Sequence, residues 1–118
     1  MALTKVNACL VMMFYLVITV PPHAEAAITC AGVLSSLSPC IAYVQRGGPV
    51  PPSCCDGLSA LNNAAPTTPD IQAACTCIKS LVPSIGANPT YVNSLPGICH
   101  VNIPYKYSAS LDCSTVTR

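Results

Sequence analysis

The apolar positions after residue 28 follow the period of α-helices. Thr29 is placed to cap a first helix. We expect Pro39 to kink this helix and Gly47-Gly48-Pro49 to end it. The apolar side recurs at steps of 3, 4, 4 and 3 residues, which match a helix and not the alternation of a strand. These positions are Cys30, Val33, Leu37, Ile41 and Val44.

A second helix is predicted after Pro51-Pro52. Ser53 and Asp56 have the spacing of a capping box, and Pro66 closes the segment. Its apolar side carries Cys55, Leu58 and Leu61.

The third predicted helix begins at Thr67, with Asp70 as the partner of a second capping box and Pro69 in the first turn, where its missing N–H does little harm. Pro83 is expected to stop it. Its apolar stripe consists of Ile71, Ala74, Ile78 and Leu81.

A short fourth helix is predicted from Asn88-Pro89 to Pro96, with Tyr91, Val92 and Leu95 on its apolar side. From Gly97 onward we expect an irregular tail. The predicted fold class is therefore all-α, with four short helices followed by that tail.

The N-terminal segment has the organisation of a secretory signal. Residues 1–5 carry one positive charge, residues 6–20 are almost wholly apolar, and Ala24-Glu25-Ala26 is a small-x-small cleavage pattern. The apolar run is shorter than the roughly 20 residues that span a bilayer. We predict that residues 1–26 are removed, together with Cys9, and that residues 27–118 form one secreted domain.

An even number of cysteines in a small exported domain indicates a disulfide framework. Adjacent Cys54 and Cys55 cannot pair without heavy strain. Cys75 and Cys77 point about 200° apart on a helix, so their bridges tie opposite sides of that helix to different parts of the chain. Eight cysteines allow roughly a hundred connectivities, and spacing does not choose among them. The eight cysteines after Ala26 are Cys30, Cys40, Cys54, Cys55, Cys75, Cys77, Cys99 and Cys113.

Composition excludes several classes of function. The formal net charge of +1 provides no basic stripe for nucleic acid. His100 has no zinc-type spacing with its neighbours, and free thiolates do not suit an oxidising compartment, so we expect no metal and no cofactor. No nucleophile elbow or paired carboxylate accompanies His100 and Asp112. We therefore expect that the protein is not an enzyme.

The apolar residues of the mature chain are mainly aliphatic. The sequence has no Trp, and its single Phe lies in the signal segment, although large aromatics usually supply much of a compact core. Composition alone favours an ordinary aliphatic core over a hollow interior.

The cysteine spacing resembles that of the plant non-specific lipid-transfer proteins, type 1. The intervals of 9, 13, 0, 19, 1, 21 and 13 residues match across the mature chain. Two short motifs are similar to family motifs in altered form: Thr67-Thr68-Pro69-Asp70-Ile71 to T-x-x-D-R/K, and Pro104-Tyr105-Lys106-Tyr107-Ser108 to P-Y-x-I-S.

This resemblance implies four helices and a tail around an internal hydrophobic tunnel. It implies a monomer that binds fatty acids, acyl-lipids and phospholipids, galactolipids included, and transfers them between membranes during transient contact with the membrane surface. Roles in cutin and wax deposition in the cell wall and in defence are proposed in the family, and some members are allergens. The implied disulfide pairs are Cys30–Cys77, Cys40–Cys54, Cys55–Cys99 and Cys75–Cys113.

The candidate lipid-binding residues follow from helix stripe and family position. Tyr105 is the polar candidate, since its ring can lie along the tunnel while its hydroxyl meets a head-group oxygen. Ile71 and Tyr107 depart from the family motifs: Ile71 removes a cation and extends the apolar stripe, and Tyr107 adds bulk. Asp70 is interpreted as a helix-start residue. The predicted wall residues are Leu37, Ile41, Val44, Leu58, Leu61, Ala74, Ile78, Leu81, Val92, Leu95 and Ile103.

Two alternatives use the same eight-cysteine scaffold. A protease or amylase inhibitor would have different cysteine spacings and an exposed reactive loop, which no segment here marks. A membrane-disrupting defence protein would need a stronger attraction to anionic lipid than a net charge near +1 provides.

Overall fold

The computed structural model describes residues 28–118, so the predicted signal peptide and Cys9 lie outside the described residues. No strand is present between residues 28 and 118. The short 3-10 turn Ser38–Cys40 joins the first two helices into one bent segment, and a second 3-10 turn, Cys113–Thr115, lies in the tail. The helices are α1 (Cys30–Leu37), α2 (Ile41–Arg46), α3 (Pro52–Ala64), α4 (Thr68–Ser84) and α5 (Pro89–Ile98).

Side-chain caps start two helices where the sequence predicts them. The Thr29 hydroxyl oxygen accepts the Gly32 N–H at 3.0 Å, and a complete capping box links Thr67 and Asp70 at the start of α4. Pro39 lies in the 3-10 turn between α1 and α2, so the predicted kink is confirmed.

Three predicted details near prolines are wrong. Ser53 does not cap α3, because the helix begins at Pro52 and its N-terminus has no side-chain cap; a proline suits the first helical position, where an N–H has no partner in any case. Neither Pro83 nor Pro96 ends its helix.

The two internal prolines are tolerated because each lies in the last turn. A proline removes one N–H, and the chain beyond it can still donate to carbonyls of the preceding turn. Ile85 N–H donates to the Leu81 carbonyl at 2.9 Å, and Cys99 N–H donates to the Leu95 carbonyl at 2.9 Å. The tail consequently begins at Cys99 rather than at Gly97.

Four disulfides hold the helices in place, and the pairing that the resemblance implied is confirmed. Cys30–Cys77 joins α1 to α4, and Cys40–Cys54 joins the 3-10 turn to α3. Cys55–Cys99 joins α3 to the residue after α5, and Cys75–Cys113 joins α4 to the tail. The bridges therefore link α1, α3 and α4 to other parts of the chain, and they hold the turn before α2 and the residue after α5.

Most of the buried residues form two separate clusters. One contains Tyr43, Val44, Leu58 and Leu95 around the Cys40–Cys54 disulfide, and the other lies where α4 meets the end of the tail. Within the described part of the chain, no charged or polar side chain is buried, and no helix has the length and apolarity to cross a membrane. The members of the second cluster are Ala65, Ile71, Cys75 and Val116.

Candidate functional site

A large apolar cavity lies between the helices and the tail. It encloses about 640 Å³ of empty space, its open mouth included. The lining residues come from α1, α3, α4, α5 and the tail, and none of them carries a charge. They are Leu37, Leu58, Leu61, Asn62, Ile71, Ala74, Ile78, Val92, Asn93, Leu95, Pro96, Ile103, Tyr105 and Tyr107.

A second cavity, of about 450 Å³, lies beside the first. Its lining contains no side chain with a hydroxyl, amide or charge, and it shares four residues with the larger cavity. It is lined by Leu34, Leu37, Cys40, Ile41, Val44, Ile78, Leu81, Val82, Ile85, Ala87, Val92 and Leu95.

The structure brings the predicted lipid-binding residues together around these two spaces. Ile41, Val44 and Leu81 border the smaller cavity, and all the others border the larger one, four of them facing both. Their contact with a lipid stays a prediction, but two apolar cavities lie where composition alone favoured a filled core.

Sequence reasoning missed several lining residues. Asn62 and Asn93 line the larger cavity, although hydrophobic periodicity assigns polar residues to the outer face of a helix. Leu34 and Val82 line the smaller cavity from positions outside the predicted stripes. A wider apolar stripe would have included these last two, whereas no pattern in the sequence marks the asparagines.

The tail closes the larger cavity as an extended segment. From residue 101 to 108, half-buried and exposed residues alternate, which is the two-residue period of an extended chain. Ile103, Tyr105 and Tyr107 fall on the half-buried side and line the cavity, while Pro104 and Lys106 are exposed. The spacing of the lining residues therefore changes from that of a helix to that of an extended chain where the cavity wall passes from the helices to the tail.

Asn93 holds this segment on α5. Its side-chain oxygen accepts the Tyr107 N–H at 2.7 Å, and its side-chain N–H donates to the Tyr107 carbonyl at 2.9 Å. One amide side chain thus pairs with both backbone groups of a single tail residue, as a neighbouring strand would. This places the Tyr107 ring against the cavity.

The rest of the tail is held by α4. Gln72 Nε2 donates to the carbonyls of Ser114 and Val116 at 3.1 and 3.0 Å, and Lys79 Nζ donates to the Leu111 carbonyl at 2.5 Å. Together with the Cys75–Cys113 disulfide, these bonds fix the tail over the helices.

Tyr105 presents a neutral hydroxyl to this environment. Desolvation by burial raises the pKa of Tyr105 to about 12, because the phenolate loses its hydration. The side chain packs against the cluster of Ile71 and Val116. The phenol stays protonated at physiological pH and can both donate and accept a hydrogen bond.

Ile71 occupies the wall of the larger cavity near the start of α4. Its side chain is only 3% exposed and packs with Val116 and Ala65. Asp70 beside it is engaged in the capping box with Thr67, which agrees with its interpretation as a helix-start residue. No charge enters the cavity from this pair.

Arg118 is a cation whose side chain is hydrogen-bonded to a residue of the cavity lining. Its Nη2 donates to the Asn62 side-chain oxygen at 2.6 Å, and its backbone N–H donates to the Thr68 hydroxyl at 3.0 Å. Arg118 is exposed and is absent from the cavity lining. The guanidinium is therefore held at Asn62 without itself lining the cavity.

Residues 28–118 contain no group of three or more His, Cys, Asp or Glu side chains arranged to hold a metal ion. The site that the described residues build consists of apolar space with a few uncharged polar groups in its lining.

Comparisons with known proteins identify the family of the chain. Residues 30–113 match the model of the protease inhibitor/seed storage/LTP family. The chain is 59% identical to non-specific lipid-transfer protein 1 of Prunus armeniaca over 90 residues, which are 75% of this chain and 99% of that protein. It is 51% identical to non-specific lipid-transfer protein 1 of Prunus dulcis over 116 residues, 98% of this chain and 96% of that protein.

Among solved structures, the fold is similar to non-specific lipid transfer protein 1 from barley in complex with lysophosphatidylcholine. The TM-score is 0.72 at 37% sequence identity, and the match covers 75% of this chain and 99% of the barley chain.

Proposed function

The chain belongs to the protease inhibitor/seed storage/LTP family, among its non-specific lipid-transfer proteins. On that premise, we propose that it is a secreted protein that encloses the acyl chains of fatty acids and phospholipids and transfers them between membranes. The observation that carries this proposal is the uncharged cavity between the helices and the tail.

Burial of methylenes supplies the binding energy in such a space. Each methylene that moves from water to an apolar environment contributes about 0.8 kcal/mol. Aliphatic walls such as Leu58, Leu61 and Ile78 form no directional bonds, so they accept acyl chains of different lipids. The barley relative was solved with a lysophosphatidylcholine, which is one ligand of this kind.

Uncharged polar groups in the lining of the larger cavity suit a lipid head group. Tyr105, Tyr107, Asn62 and Asn93 all line it, and the smaller cavity has no equivalent. We propose that the Tyr105 hydroxyl contacts a head-group oxygen. Its high pKa keeps the proton available for that bond.

The disulfides support the proposal of secretion. All eight cysteines from Cys30 to Cys113 are paired, and such bridges persist in oxidising compartments. Removal of residues 1–26 would release this domain to the extracellular space, for which we propose the cell wall. Deposition of cutin or wax precursors there is a role that fits a carrier of acyl chains.

Lipid binding is tested by displacement of a fluorescent acyl probe with saturated fatty acids of increasing length. We expect the affinity to rise about fourfold for each added methylene while the chain stays within the larger cavity. Mass spectrometry of lipids extracted from protein purified from its native source provides a second readout. The proposal is wrong when no lipid co-purifies and the acyl probe shows no fluorescence change.

Head-group charge is expected to have little influence on affinity. No charged side chain lines the larger cavity, and Ile71 stands where the family motif has a cation. A fatty acid and the alcohol of equal chain length are therefore expected to bind within about tenfold of each other, a difference of about 1.4 kcal/mol. Isothermal titration calorimetry of the two ligands measures this ratio.

Arg118→Gln provides the control for this prediction, since Arg118 is held at Asn62 outside the cavity lining. We expect the substitution to leave the ratio of the two affinities unchanged. A strong preference for the acid that Arg118→Gln removes would contradict the prediction and assign the head-group charge to Arg118.

A further inference from the structure

The boundary between the two cavities consists of four apolar side chains. Leu37 at the end of α1, Ile78 on α4, and Val92 and Leu95 on α5 line both spaces. A side chain that borders two cavities lies between them. These four residues, here called the ring, therefore lie where the two cavities adjoin.

The two cavities differ in chemistry on either side of the ring. The larger one has the tyrosine and asparagine groups. The smaller one is wholly apolar and is bordered by Leu34, which is 38% exposed. A lipid with its head group among the polar residues would thus direct the methyl end of its acyl chain through the ring.

Most of the ring side chains have room to change rotamer. Leu37, Ile78 and Val92 are only partly buried, whereas Leu95 is 6% exposed and belongs to the core. Partly buried side chains change rotamer more readily than side chains packed on every side. An acyl chain can displace them, but only at a cost in lost contacts between the ring residues.

We propose that this ring makes the protein select acyl chains by length in two stages, an inference that rests on the proposed lipid binding. A short chain fills the larger cavity alone, and its affinity rises with each methylene. The next methylenes must open the ring, so they add little. Beyond the ring, each methylene is again buried against aliphatic walls and the affinity rises a second time.

The test is the dissociation constant of a series of saturated fatty acids that differ by single methylenes, measured with the wild-type protein and with Val92→Phe. The larger ring side chain narrows the passage. Val92 also lines the larger cavity, so we expect short acids to lose affinity by an amount that does not change with their length. For long acids we expect a plateau, with a further loss of about fourfold for each methylene that is excluded from the smaller cavity.

Two further substitutions to phenylalanine serve as matched controls. Leu81 lines only the smaller cavity, so the plateau of Leu81→Phe is expected at a longer chain than that of Val92→Phe. Leu61 lines only the larger cavity, so Leu61→Phe is expected to weaken short and long acids alike. The order of the two plateaus reports the order of the residues along the acyl chain.

Each outcome decides the proposal. Uniform weakening by Val92→Phe at every length, or an unchanged curve, would overturn the two-stage selection even though lipid still binds. Absence of binding by the wild-type protein would instead refute the proposed function. Should Val92→Phe fail to fold by circular dichroism, Val92→Ala decides: a wider ring is expected to remove the flat region of the curve, and a retained flat region overturns the proposal.

Discussion

Gly57→Ala is expected to destabilise the protein by about 3 kcal/mol, at the upper end of the usual cost of overpacking. A Cβ atom on Gly57 would lie 1.9 Å from the backbone carbonyl oxygen of Ser36. That oxygen belongs to α1 and Gly57 to α3, so both helix backbones must move apart. Denaturation by guanidinium chloride under non-reducing conditions measures the change in the free energy of unfolding.

Gly97→Ala is the matched control, since Gly97 also lies inside a helix, α5. A Cβ atom there would have no neighbour within 4 Å. Alanine is favoured over glycine in a helix interior by roughly 0.5–1 kcal/mol, so this variant is expected to be more stable than the wild type. Equal stabilities of the two variants would contradict the assigned contact between α1 and α3.

Loss of the Cys30–Cys77 disulfide is expected to cost about 4 kcal/mol, the chain-entropy value for a loop of this size. This bridge has the largest sequence separation of the four, 47 residues. It joins α1 to α4, and both helices supply walls of the cavities. The double variant Cys30→Ala/Cys77→Ala should therefore lose stability and bind acyl chains more weakly.

Cys55→Ala/Cys99→Ala is the comparison, because its loop is of similar size at 44 residues. Loop entropy alone predicts nearly the same loss of stability for the two double variants. If Cys30→Ala/Cys77→Ala has the same denaturation midpoint as the wild-type protein, α1 and α4 are held together without the bridge.

Local signals in the sequence predicted the helices well where a side chain contacts its own turn. The capping box of Thr67 and Asp70 and the cap at Thr29 involve atoms three residues apart, so each of these contacts forms within a single helical turn. Predictions from Pro83 and Pro96 were wrong at the helix ends. A proline weakens the turn that precedes it, but whether the helix stops there depends on the residues that follow.

The candidate site was predicted in its apolar part and missed in its polar part. Leu58, Ile71 and Ile78 belong to helical stripes that face the interior, and all three line the larger cavity. Asn93 was missed because its role depends on the tail: its amide pairs with Tyr107, which is 14 residues away in the sequence. Helical periodicity contains no information about that pairing.

The sequence by itself determined the helical segments, the cysteine framework and the resemblance to a lipid-carrying family. These depend on spacing along the chain, such as the intervals from Cys30 to Cys113 and the apolar steps of each helix. Only the tertiary structure decided that the apolar stripes stand apart and leave two cavities with a ring between them. The physical reason is that the same leucines and isoleucines can fill a core or line a hollow one. The distance between the helices decides which of the two forms. In this protein, four disulfides and an extended tail maintain that distance.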